Sequence, residues 1–190
     1  MTAGKLNTFV WLHTSQGDAL REIARNNARA EAAWIADQRE RLNLGPDDPT
    51  PEAVRREALA LRPGTWPGAS HLVEASMRVR LAAPDLAGPW QPLTPDERET
   101  QRLAGRRIGT PNQHFADKIA VDIAPDIIDA ARLAAYRVSE PVIAQLRAEN
   151  LIGPGASRSR AARARRDELQ AQIYTLGRIA REAINRLISP

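Results

Sequence analysis

Clusters of proline and glycine divide this sequence into segments rich in strong helix formers, and these breaks constrain the fold more than any other feature. Residues 45–49 read GPDDP, residues 63–68 read PGTWPG and residues 153–155 read GPG. Between them Ala, Leu, Arg and Glu dominate, whereas runs of alternating β-branched residues are almost absent. The sequence therefore predicts an all-α protein, a multi-helix bundle, rather than a β-sandwich or barrel.

Three helices are predicted in the first half of the chain from apolar spacing and helix-start residues. The first runs from about residue 15 to 42, and the second from Pro51 to about residue 62. The third begins at Ser70 and carries inward-facing apolar residues as far as Leu81. The loops that follow the second and third helices contain Trp66 and Trp90, which we interpret as anchors for irregular backbone rather than as a binding surface.

The segment Lys118–Ile123 has two interpretations. It forms either one short strand, with its three β-branched residues on one face, or the end of a helix that begins near Pro111. Pro125 interrupts the segment in both cases, because the residue before a proline avoids the α region.

Two short helices are predicted after this break, one to about Tyr136 and one from Glu140 to about Asn150, joined by a turn at residues 137–139. Ser139 would cap the second helix. The stretch 125–152 resembles a bacterial helix-turn-helix, although an ordinary helical hairpin explains the same pattern. The resemblance implies that double-stranded DNA is contacted by Arg137, Ser139, Gln145 and Arg147.

The same region also resembles a ribbon-helix-helix module, in which residues 118–123 would be the ribbon. The resemblance implies that Lys118, Ala120 and Asp122 enter the major groove, and Asp122 carries the wrong charge for that position. This is the second interpretation.

A dense basic segment follows the glycine-proline-glycine break. Residues 157–166 read SRSRAARARR, with no acidic residue among them. Such a segment favours neutralisation of phosphate groups, although a solvated helix face is the simpler explanation. The predicted contacts are Arg158, Arg160, Arg163, Arg165 and Arg166.

Apolar residues then recur at alternating spacings of four and three, which is typical of a heptad seam. We predict one long C-terminal helix, from about Ser157 to Ile188, that either packs on its own chain or pairs with a second copy in a coiled-coil homodimer. The residues of this seam are Leu169, Ile173, Leu176, Ala180, Ala183 and Leu187.

The charge is unevenly distributed along the chain. Residues 1–100 contain 12 basic and 14 acidic side chains, whereas residues 101–190 contain 15 and 9. An anionic partner is therefore expected to contact the second half. Arginine outnumbers lysine by 25 to 2, for which GC-rich codon usage is a sufficient cause.

Several functional classes are disfavoured by what the sequence lacks. It has no cysteine, no glycine-rich phosphate loop, no HExxH motif and no apolar run of membrane-spanning length. We therefore expect a soluble, cytoplasmic protein that is not an enzyme and has no cofactor, no metal and no membrane partner.

Together these observations predict a helical domain with proline-rich loops at 1–110, a helix-turn-helix-like segment at 111–152 and a basic helix with a heptad seam at 156–190. The expected function is DNA binding, as a transcriptional regulator or as an accessory factor of a plasmid or phage. The alternative is a helical protein-interaction or structural protein that does not bind nucleic acid and that uses the heptad seam and the loops containing Trp66 and Trp90.

Overall fold

The computed structural model describes residues 4–98, 115–153, 155–157 and 159–189. The chain is mainly helical, but it contains a pair of strands, which corrects the prediction of an all-α fold. In chain order the elements are β1 (Leu6–Leu12), α1 (Thr14–Arg41), α2 (Glu52–Thr65), α3 (Ala69–Leu81), β2 (Asp117–Ile123), α4 (Pro125–Ala148), α5 (Arg160–Gln170) and α6 (Leu176–Ile188).

Strands β1 and β2 form an antiparallel ribbon in which Leu6 lies opposite Ile123 and Leu12 opposite Asp117. Side chains alternate between the two faces of a strand, so the β-branched residues of β2 all point inward. The strand interpretation of residues 118–123 is therefore confirmed. Strand β1 was not predicted, although its sequence LNTFVWL is rich in strand-forming residues.

The inner face of the ribbon packs into the main hydrophobic core together with α1, α3, α4 and α6. Val10, Ile119 and Ile179 are all buried there. These residues belong to the three different segments predicted from the sequence, so all three segments contribute to one core.

Helices α1 and α3 match their predicted bounds closely, because their local apolar spacing agrees with their tertiary packing. Helix α2 packs on α1 and continues through Pro63, which was predicted to lie in a turn. Trp66 is buried just after α2, and its ring centroid lies 5.5 Å from that of Trp34. This position confirms Trp66 as an anchor for the loop.

A single continuous helix replaces the predicted pair of helices at 125–152. Helix α4 passes through Arg137 and Ser139 without a turn. No glycine is present there to adopt a left-handed turn conformation, and the buried residues continue at helical spacing on both sides. The prediction of a turn at residues 137–139 is therefore wrong.

The predicted long C-terminal helix is also corrected, because it is divided into α5 and α6. Residues 173–175 are an aromatic and two β-branched residues, which are weak helix formers. Thr175 begins a new helix when its side-chain Oγ1 accepts a hydrogen bond from the backbone N–H of Arg178 at 3.1 Å. The break lets Ile173 enter a smaller core formed mainly by α4 and α5.

Candidate nucleic-acid interface

Helix α5 is anchored by its two ends. At its start, the Oγ of Ser159 accepts a hydrogen bond from the backbone N–H of Ala162 at 3.1 Å. At its end, Leu169 is buried in the smaller core against Leu146 of α4. The helix is therefore held with one side against the protein, and its arginines occupy the remaining sides.

Three of these arginines form a stripe along one side of the helix. Arg160, Arg163 and Arg166 are three residues apart, a spacing that keeps them within an arc of about 120° and about 4.5 Å apart along the axis. Arg160 and Arg163 are exposed, and Arg166 is half-buried. Within the part of the chain that the structure describes, none of the three forms an ion pair or a side-chain hydrogen bond. We call these three residues the arginine stripe.

Arg165 lies on a different side of α5 and is used within the protein. Its Nε lies 3.0 Å from Oε2 of Glu149, at the end of α4, and its Nη1 lies 2.8 Å from Oε2 of Glu168. The hydrogen bond with Glu149 raises the pKa of Arg165 and lowers that of Glu149. Arg165 was predicted to bind phosphate, but here it joins α5 to α4.

Two predicted DNA contacts on α4 are also used to hold the fold together. The Nη1 of Arg137 lies 2.7 Å from Oε1 of Glu97, and its Nη2 donates to the backbone carbonyl of Gln91 at 3.0 Å. The hydroxyl of Ser139 is buried and accepts a hydrogen bond from the backbone N–H of Tyr174 at 2.8 Å. Ser139 therefore connects α4 to the break between α5 and α6.

The other predicted contacts have different positions. Gln145 and Arg147 are exposed on α4, and Gln145 donates to Oε1 of Glu149 at 2.8 Å. Arg158 lies outside the described residues. The structure therefore brings no group of predicted base-reading side chains together on α4. In contrast, the three arginines of the stripe lie together on one side of α5.

The residues of the predicted heptad seam pack in the hydrophobic cores of the chain itself. Leu169 and Ile173 belong to the smaller core, while Ala180 and Ala183 are buried in the main core. The remaining two seam residues pack against the main core and are partly buried: Leu176 and Leu187.

A second surface was not predicted. The outward face of the ribbon carries Phe9 and Trp11, which are 52% and 49% exposed. Lys118 extends across this face, with its Nζ 3.6 Å from the ring centroid of Phe9 and 5.5 Å from that of Trp11. We call these three residues, with Ala120 and Asp122, the ribbon face. The aromatic and β-branched residues of LNTFVWL are a sequence signal for strand β1, but they do not separate the outward Phe9 and Trp11 from the inward Val10 and Leu12.

Arg181 of α6 lies at the edge of the ribbon face. Its Nη1 donates to the backbone carbonyl of Trp11 at 3.1 Å, and its guanidinium carbon lies 3.7 Å from the ring centroid of Phe115. It forms no ion pair with any residue that the structure describes. Burial, together with the nearby charge of Arg178, lowers the pKa of Arg181 to about 10.

Two further properties of the described residues bear on function. They contain no group of three or more His, Cys, Asp or Glu side chains arranged to hold a metal ion. None of their helices has the length and apolar character needed to cross a bilayer. Comparison of the chain with protein-family models, with curated proteins and with solved structures gave no match.

Proposed function

We propose that this protein binds double-stranded DNA through phosphate contacts made by the arginine stripe of α5. The observation that carries the proposal is the absence of ion pairs at Arg160, Arg163 and Arg166 within the described chain, although Arg165 of the same helix has two acidic partners. Arginine side chains that are not neutralised by the protein are available to phosphate groups.

The electrostatics of α5 support this proposal. Positive charge near a helix N-terminus is unfavourable, because it opposes the helix dipole. Arg160 and Arg163 occupy the first turn and the residue after it, and the first turn contains no acidic residue. A phosphate group bound beside them relieves this repulsion, and binding releases counterions from the DNA.

The mode of binding that we propose is independent of base sequence. Arg137 and Ser139 are engaged within the fold, and the exposed half of α4 also carries the acidic residues Glu140 and Glu149. Such residues oppose the approach of α4 to DNA. We therefore favour the role of an accessory DNA-binding factor over that of a sequence-reading transcriptional regulator.

The alternative of a protein-interaction module has less support. It relied on the heptad seam and on Trp66 and Trp90. The seam packs inside the chain, Trp66 is buried, and the indole Nε1 of Trp90 donates to the carbonyl of Leu86 at 2.9 Å. Pairing of two copies through the seam stays a prediction.

The test is fluorescence anisotropy with a labelled mixed-sequence duplex, repeated across a range of salt concentrations. Three phosphate contacts give a slope of log K against log salt near −0.9 per contact, or roughly −2.7. Replacement of the stripe residues together by Ala is expected to make this slope less steep by about that amount.

A matched control removes the same charge elsewhere. Arg41, Arg55 and Arg56 are exposed arginines of α1 and α2 that pair with acidic neighbours in their own helices. Their joint replacement by Ala is expected to leave the slope almost unchanged. No binding of the wild-type protein at low salt, or equal slopes for the two triple variants, would refute the proposal.

A further inference from the structure

The two aromatic rings of the ribbon face are exposed and accessible to a ligand. Phe9 and Trp11 are two residues apart on β1, so their side chains leave the same face of the strand from backbone positions about 7 Å apart. Phe9 lies opposite Ala120, whose methyl group is too small to cover the ring, and the β2 side chain over the ring is that of Lys118. Exposed aromatic rings on one face are a platform on which other planar groups stack.

The charge around the two rings is mainly positive. Lys118 lies opposite Trp11 and reaches over Phe9, and it has no ion pair among the described residues. Arg181 is half-buried beside the backbone of Trp11, and it too has no carboxylate partner in the part of the chain that the structure describes. The acidic member of the face is Asp122, near the opposite end, where its Oδ1 accepts a hydrogen bond from Asn7 at 2.9 Å.

We propose that the ribbon face binds single-stranded DNA, with bases stacked on Trp11 and Phe9 and with phosphates beside Lys118 and Arg181. Stacking platforms bordered by cations are the usual means of holding single strands, because every base offers a π-face and every linkage a negative charge. The flexible side chain of Lys118 turns from the ring of Phe9 to a phosphate as a base arrives.

The geometry favours a single strand over a duplex. In a duplex the bases are stacked on one another, so their faces are not available to the protein rings, whereas unpaired bases are free to splay onto them. The choice of DNA over RNA rests on the proposed function. The stacking site itself rests only on the ribbon face and Arg181.

The experiment measures anisotropy of a labelled oligothymidylate of roughly 12 nucleotides and compares it with an abasic strand of the same length. The abasic strand has the same phosphates but no bases. We expect wild-type protein to bind the oligothymidylate at least about 10-fold more tightly, since stacking adds to phosphate contacts. The emission of Trp11 is expected to be quenched on binding.

Single substitutions locate the site. Phe9→Ala and Trp11→Ala are each expected to weaken oligothymidylate binding roughly 5- to 150-fold, the range measured for loss of one stacking contact. Trp11→Phe retains a ring and is expected to bind nearly as the wild type. Leu59→Ala is the matched control, because Leu59 is 62% exposed on α2, which packs on α1. Circular dichroism checks that each variant is folded.

The same binding measurements distinguish the ribbon face from the arginine stripe. With the stripe replaced by Ala, binding of duplex is expected to fall while the preference for oligothymidylate over the abasic strand remains. Equal affinity for the two strands, or unchanged affinity in both Phe9→Ala and Trp11→Ala, would overturn the proposal. Loss of a dimer in these variants without loss of oligothymidylate binding would instead assign the face to self-association. Tighter binding of oligouridylate would overturn the choice of DNA.

Discussion

Arg80 of α3 and the arginine stripe of α5 differ in whether the protein neutralises their charge. The side chain of Arg80 in α3 is only 3% exposed, and its Nη2 lies 2.6 Å from Oδ2 of Asp85 and 2.7 Å from Oε2 of Glu182. It joins α3 to the following turn and to α6. The arginine stripe of α5 has no such partners within the described residues. An arginine-rich composition therefore does not reveal function, because tertiary contacts separate structural arginines from those left for a ligand.

The largest loss of stability is expected when the buried arginine, Arg80, is replaced. Arg80→Ala leaves the carboxylates of Asp85 and Glu182 without their shared partner, and is expected to lower the free energy of unfolding by about 3 kcal/mol. Urea unfolding followed by circular dichroism measures the loss. Arg78→Ala, in the same helix, removes an exposed arginine and is expected to cost less than about 1 kcal/mol. Equal losses in the two variants would show that burial does not distinguish them.

An intermediate effect is expected at Arg137, which was predicted to contact DNA. Arg137→Ala removes hydrogen bonds to Glu97 and to backbone carbonyls, and is expected to lower the free energy of unfolding by about 2 kcal/mol. Its exposed neighbour Arg132, paired with Asp129 one helical turn away, provides the control. If Arg137→Ala instead left stability intact and weakened duplex binding, Arg137 would belong with the stripe.

Acid is expected to weaken the structural pairs in a graded way. Hydrogen bonds from Arg80 and Arg137 lower the pKa of Asp85 and Glu97 in the folded protein. The stability from these pairs is therefore complete above the unfolded pKa values of about 4 and is lost as pH falls through the lower folded values. Urea midpoints measured from neutral pH downward should decline below about pH 4. The decline should be shallower in Arg137→Ala, and an identical profile would contradict the assignment.

A still smaller change is expected at Arg165. Its ion pairs with Glu149 and Glu168 are partly exposed, and exposed pairs contribute little to stability. Arg165→Ala is expected to lower the urea midpoint slightly and to leave the salt dependence of duplex binding nearly unchanged. A marked loss of salt dependence would move Arg165 into the DNA-contacting set.

The smallest effect on stability is expected for the arginine stripe. Joint replacement of Arg160, Arg163 and Arg166 by Ala removes no ion pair of the described chain and relieves repulsion with the helix dipole. The urea midpoint is expected to stay the same or to rise slightly. A clear fall would mean that the stripe stabilises the fold and would weaken the contrast with Arg80.

Local sequence patterns predicted an element correctly where its apolar residues recur at helical spacing and the same residues are buried in the fold. Helices α1 and α3 were predicted for this reason. The turn predicted at residues 137–139 was wrong, because Ser139 bonds to the backbone of Tyr174 instead of capping a helix. Strand β1 was missed because its partner strand lies more than a hundred residues along the chain.

The candidate sites were likewise predicted only in part from the sequence. The basic segment at 157–166 was evident from its residues, but the roles of Arg160 and Arg165 were not. They are separated by the position of Glu149 at the end of α4, which follows from docking of α5 on that helix. The ribbon face was not predicted, because it exists only when β1 pairs with β2.

The sequence by itself determined the mainly helical character of the chain, the bounds of α1 and α3 and the position of its basic segment. These properties depend on backbone preferences and on apolar spacing within a few turns. Only the tertiary structure decided which arginines are paired and which aromatic rings face outward. Those outcomes depend on contacts between residues far apart in the chain, whose burial and charge pairing outweigh local preference.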